Sequence, residues 1–232
     1  MRVSSAYRAY VKANKRRLKA LPYFAESHEK RRAFLVMFDE LDRRADETSA
    51  LHAILRAEPN ACSDPVYRVL VTDYLRHQLV GDTSTEWEQT ELTENTVVKG
   101  DLHVRGSLIN AAALTVLGDL RVDGAYVTRG DYPCLQVAGS FSARHVYGFE
   151  AETAVLDELR VSGIVFVAYN HTVTVARVVR ADTVCSLDAE ISAEVQANVR
   201  HEDEVPMLSL FGVEKEDEVH RVAEWMLNDA HG

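Results

Sequence analysis

Nine histidines and three cysteines are the side chains in this 232-residue sequence best suited to chemistry, and their spacing limits what that chemistry can be. Tyr169, Asn170 and His171 run together as a turn-forming triplet, with an imidazole that can donate or accept at neutral pH. They are the candidate binding residues, and a hydrogen-bonded corner histidine is the plainer alternative. Acyl transfer would need a general base such as His145 or His171. The two histidines fall at different positions of the chain's repeat, so they should not stack into a metal site. Cys62, Cys134 and Cys185 are far apart among apolar neighbours, which suggests buried small hydrophobes rather than a disulfide framework or a metal knuckle. Asp101, Asp119 and Glu158 recur at one place in the repeat and read as turn residues bonding nearby amides, not as catalytic pairs. No catalytic residue, metal ligand or cofactor follows from the sequence, and the chain reads as a non-enzyme.

The elements that must position these residues are repetitive. Val98-Lys99-Gly100-Asp101-Leu102-His103-Val104-Arg105-Gly106 is followed by Val116-Leu117-Gly118-Asp119-Leu120-Arg121-Val122-Asp123-Gly124, and looser copies begin at Val137, Val155 and Val175. The starts at 98, 116, 137, 155 and 175 give steps of 18, 21, 18 and 20 residues. A unit this short cannot hold two helices, and apolar residues alternate with polar ones as in Leu102-His103-Val104, the period of a strand with one buried face. The sequence therefore predicts a parallel β-solenoid of about five coils over residues 82–205, clearest from Leu92. Val98, Val116, Val137, Val155 and Val175 should form one interior column, and Leu102, Leu120, Phe141, Leu159 and Val179 another.

Helical periodicity flanks the repeat. Ser4 to Leu21, Ser27 to Arg44, Thr48 to Ala57 and Pro65 to Gly81 each carry an apolar stripe, and together predict a helical bundle over residues 1–81. Pro65 after Ser63 and Asp64 is the clearest helix start. Residues 206–232 predict a C-terminal helix bearing Val219, Val222, Ala223, Met226 and Leu227, placed to cap the end of the stack. The fold class expected is thus α+β: an N-terminal helical bundle, a short single-stranded parallel β-helix, and a capping helix.

With 47% hydrophobic and 27% charged residues the composition is that of a soluble globular protein, and no apolar run approaches the ~20 residues of a membrane span. A cytoplasmic location is expected. Residues 1–32 hold ten Lys/Arg against two Glu, a net of +8, so the other 200 carry −18 of the total −10. That overall charge opposes a polyanion and argues against nucleic-acid binding.

The Val-x-Gly-Asp-Leu-x-Val-x-Gly copies resemble the coils of bactofilin-type, polymer-forming bacterial solenoid proteins, over about residues 97–185. The Tyr169-Asn170-His171 turn is similar to one in a loose group of uncharacterised bacterial solenoids. The resemblance implies right-handed coiling and, if it extended to activity, a self-assembling scaffold without nucleotide or metal. Added helical regions set this chain apart from a bare solenoid. The expected function is a non-enzymatic bacterial protein-binding module, with an immunity-like partner of a toxin as one case. The alternatives are a self-assembling scaffold, in which the partner is another copy, and a hexapeptide-type acyltransferase.

Overall fold

The computed structural model describes residues 83–202, 208–209, 211–213 and 218–230, with isolated positions at 9–10, 12–14, 16, 74 and 76. Fourteen strands coil into a parallel β-solenoid of about 7 turns. The first turn is β1 (Ser84–Leu92), and the second is β2 (Thr96–Val98) with β3 (Asp101–Asn110). The third holds β4 (Ala113–Val116), β5 (Leu120–Val122) and β6 (Ala125–Thr128). The fourth holds β7 (Cys134–Val137), β8 (Phe141–Ala143) and β9 (His145–Phe149), and the fifth β10 (Glu152–Val155), β11 (Glu158–Val161) and β12 (Ile164–Ala168). Long strands β13 (Val173–Leu187) and β14 (Glu190–Glu202) make the last two turns, and α1 (His220–Asp229) follows.

The pairings define three faces. Face I stacks β2, β4, β7 and β10 on the start of β13; face II stacks β3, β5, β8 and β11 on its middle; face III stacks β3, β6, β9 and β12 on its end. Period-two alternation sends every second side chain inward. The column Leu102, Leu120, Phe141, Leu159, Val179 holds as expected and extends to Thr85 and Val195. Val98, Val116, Val137 and Val155 also stack, but Val175 pairs with Ala154, so Ala176 continues the interior column and Val175 faces outward. The slip arises because Ala176 and Val179 are three residues apart, where the earlier coils set the two columns four residues apart. A β-bulge against β14 lies beside it, between Val175 and Val178. Leu108, Tyr126, Val146, Val165 and Val184 fill face III's interior. Inside, the Tyr126 ring meets Phe141 edge-on at 5.3 Å and its hydroxyl accepts a bond from Asn110 Nδ2 at 2.9 Å. Loss of water raises the Tyr126 phenol above its ordinary value, against the Asn110 hydrogen bond, which lowers it.

Seven turns replace the expected five because both terminal turns lack the glycine signature. β1 alternates Thr85, Trp87, Thr90 and Leu92 against outward glutamates, and β14 uses small residues, Ala193, Val195 and Ala197, inside.

The α+β expectation with an N-terminal helical bundle is overturned: the described residues form a solenoid with one helix and show no bundle. The helices expected at 4–21, 27–44, 48–57 and 65–81, and the 1–81 domain they would make, lie outside the described residues apart from the isolated positions above. An amphipathic stripe states that a face is to be buried, not what buries it. Arg76, for one, reaches the solenoid, where its guanidinium donates to the Ala138 carbonyl at 2.5 Å and lies 3.8 Å from Asp157. Outward residues of face I, Thr115, Gln136, Ala154 and Val175, are buried as well.

The C-terminal helix exists, but it does not cap the stack. It lies along face III, where Val222, Ala223 and Met226 join Leu208 and Val213 over Ala125, Val127, Tyr147, Phe166 and Cys185. That outward column is apolar, so the helix buries more surface there than on an end row of backbone groups. Among the described residues, no helix is long and apolar enough to cross a membrane.

Candidate functional site

The corner from face III into face I is where the repeat is least regular. Every non-glycine residue with positive φ among the described residues lies there: Tyr132 (φ 51), Glu150 (φ 46), Tyr169 (φ 84) and Asp188 (φ 49). Phe149, Ala168 and Leu187 are in register, so the residues after them, Glu150, Tyr169 and Asp188, stack on successive coils. Bulky side chains rarely adopt this left-handed conformation, which glycine takes without cost, as Gly130 (φ 89) does at the same corner. The 169–172 turn is fastened by the Tyr169 N–H to the Leu187 carbonyl (2.9 Å) and by the Thr172 N–H to the Tyr169 carbonyl (2.8 Å). The Thr172 hydroxyl also donates to the Ala168 carbonyl.

Two of these corners are long, 129–133 and 169–172, and they flank the short Glu150–Ala151 corner. Their rings therefore meet across it: Tyr132 and His171 lie 5.9 Å apart, His171 and Tyr169 5.8 Å, and Tyr169 and Phe149 5.4 Å. Tyr132 and Tyr169 are each 44% exposed, and Asn170 and His171 are exposed beside them. Beneath this rim a groove of about 590 Å³ is lined by Tyr147, Phe149, Ala168, Tyr169, Leu187, Asp188, Val219 and His220. Tyr147, Phe149 and His220 also line a neighbouring hollow of about 320 Å³ that reaches Arg129, Gly130, Glu224 and Leu227. The two hollows adjoin at these three residues, and together they form the furrow between the corner and α1.

Of the triplet expected to bind, Tyr169 lines the furrow and His171 joins its aromatic rim; Asn170 lies beside them at the surface. Tyr132, Phe149, Asp188 and His220 were not legible as members. The uneven steps were the signal: the 21- and 20-residue copies place their additional residues in the two long corners.

His145 is a fastener. Its Nδ1 accepts the Ile164 N–H at 3.2 Å, leaving the proton on Nε2, which faces Asp229 Oδ2 at 2.8 Å. With both ring nitrogens engaged and the ring against Trp225 at 5.5 Å, it has no free base to offer an acyl acceptor. The bond from His145 holds the Asp229 carboxyl below its ordinary value, with further help from Arg144 at 3.0 Å and against a small loss of hydration. Gly163 makes room for the imidazole, since a Cβ there would sit 2.5 Å from His145 Cε1. Among the described residues no group of three or more His, Cys, Asp or Glu can hold a metal ion. Cys134 and Cys185 are buried, and Cys62 lies outside the described residues.

The corner carboxylates divide. Asp101 Oδ1 accepts the Asp119 N–H and Asp119 Oδ1 accepts the Ser140 N–H, each at 2.8 Å, so each ties its coil to the next. A Cβ on Gly118 or Gly139 would collide with these carboxylates, at 2.2 and 2.0 Å. Glu158 instead pairs with Arg160 and Arg180, and the Arg160 hydrogen bond is the main cause of its lowered pKa.

Comparison of the chain with protein-family models, with curated proteins and with solved structures returns no match.

Proposed function

We propose that the chain is a non-enzymatic protein-binding module of the cytoplasm, with the furrow beside α1 as its recognition site. The exposed aromatic rim carries this reading. Two of the four exposed large hydrophobic side chains among the described residues, Tyr132 and Tyr169, sit at one corner next to the 590 Å³ groove. Both occupy a backbone conformation that glycine or asparagine would fill more cheaply. Aromatic residues on a pre-formed concave surface are the usual anchors of protein recognition. An immunity-like protein that covers a toxin is one case of this class.

A photo-crosslinking amino acid at position 169 tests the proposal. It should give a discrete adduct with a second protein in cells of the source organism, whereas the same probe at Arg121 on face II should not. Equal labelling from both positions, or none from position 169, would remove the furrow as the recognition site.

The scaffold reading has one feature in its favour: among the described residues β14 pairs only with β13, and a strand paired on one side is the kind of edge to which another chain can add. Against it, Arg200, in register with Val184, is half-exposed and ion-paired with Glu202. Charge on a terminal strand is a device that discourages end-to-end stacking. Sedimentation of the purified protein separates the two readings, because a scaffold should pellet as polymer. The acyltransferase reading loses His145, whose two ring nitrogens are both engaged, and would have to rest on the exposed His171.

A further inference from the structure

We propose that the furrow takes an extended, arginine-bearing segment of the partner protein, lying across the coils with apolar side chains on the floor and guanidinium groups on the tyrosine rim. This rests on the binding-module reading and adds the partner's chemistry. The furrow passes four successive corners, from Gly130 to Asp188. At roughly 4.8 Å between coils that is about 14 Å, the length of about four residues of extended chain. Its floor of Tyr147, Ala168 and Leu187 is apolar, so part of the segment must be apolar too.

Charge chooses among extended segments. Asp131, Glu150 and Asp188 fall at three of these four corners, Asp188 lines the groove, and Glu224 stands on the α1 wall. Among the described lining residues the arginine is Arg129, which lies 3.8 Å from Glu91. The whole chain carries −10. An acidic segment would meet like charge along the furrow, whereas arginine can stack on the exposed faces of Tyr132 and Tyr169 while facing these carboxylates. Arginine suits the site better than lysine because a planar guanidinium stacks on a ring as well as pairing with an acid.

Fluorescence anisotropy with three labelled hexapeptides tests this, using the full chain. The peptides alternate leucine with arginine, with serine or with glutamate. The arginine peptide should bind about tenfold more tightly than the serine one, and the glutamate peptide should show no binding. Tyr169→Ala and Asp188→Asn should each weaken the arginine peptide several-fold, as should Tyr132→Ala. If the serine peptide binds as tightly as the arginine one and both lose affinity in Tyr169→Ala, the furrow stands as a site and the charge inference falls. If no peptide binds, or Tyr169→Ala and Tyr132→Ala change nothing, the inference fails together with the furrow.

Discussion

Faces II and III share one interior and differ in everything outside it. On face II the outward column runs His103, Arg121, Ser142, Arg160, Arg180 and Gln196, and Arg121 and Arg160 leave about two thirds of their side chains in water (67% and 65%). On face III the equivalent column is Ile109, Val127, Tyr147, Phe166 and Cys185, and the C-terminal segment covers the last four. Tyr147 stacks on Phe166, and Phe211 closes over it edge-on at 5.9 Å. Inward residues therefore specify the coil, and outward residues specify what lies against each face. The furrow forms where the covered face ends, between the edge of its roof and the corner.

The interior should be the most sensitive point on both faces. Leu120→Asp puts an unpaired charge into a fully packed column and should cost more than about 4 kcal/mol, enough to unfold a domain of ordinary stability. Loss of the cooperative urea transition would show it. On the outside the faces should part company. Phe166→Ala, beneath the roof of face III, should cost about 3–5 kcal/mol in urea unfolding, whereas Arg121→Ala on face II should stay within about 0.5 kcal/mol. Similar values for the two would erase the distinction.

A smaller effect should follow from the clasp at the end of α1. Because the Asp229 carboxyl is held below its ordinary value in the folded chain, its contribution is present above about pH 4 and lost as pH falls through the folded-state value. Asp229→Asn should therefore lower the melting temperature more at neutral pH than in acid. An equal shift in both conditions would mean that the carboxylate does not act through its charge.

How much of this the sequence could disclose depended on how far each feature was local. The column through Leu102, Leu120, Phe141, Leu159 and Val179 was readable because alternation and stacking act on the same residues in every copy. Val175 was misplaced because Val175 and Val179 keep the spacing of four seen in the other copies, while the register there advances by one residue. The terminal turns were missed because Trp87 and Ala193 belong to no glycine-bearing copy. Helix α1 was found from its stripe, yet its seat on face III depends on Phe166 and Tyr147 standing outward in adjacent coils, which only the register settles. In the site, Tyr169 and His171 were visible as a turn. Tyr132 lies almost forty residues earlier, and only the stacking of two long corners brings it to them.

If the furrow is a recognition site, Tyr169 is held at a backbone position that does not favour it for the sake of what it contacts in a partner. The thermal melting temperature of Tyr169→Gly tests that directly. Glycine relieves the left-handed conformation, so the melting temperature should hold or rise, even as binding is lost. A fall comparable to that of Phe166→Ala would contradict the account, because it would make Tyr169 part of the packing that holds the corner together.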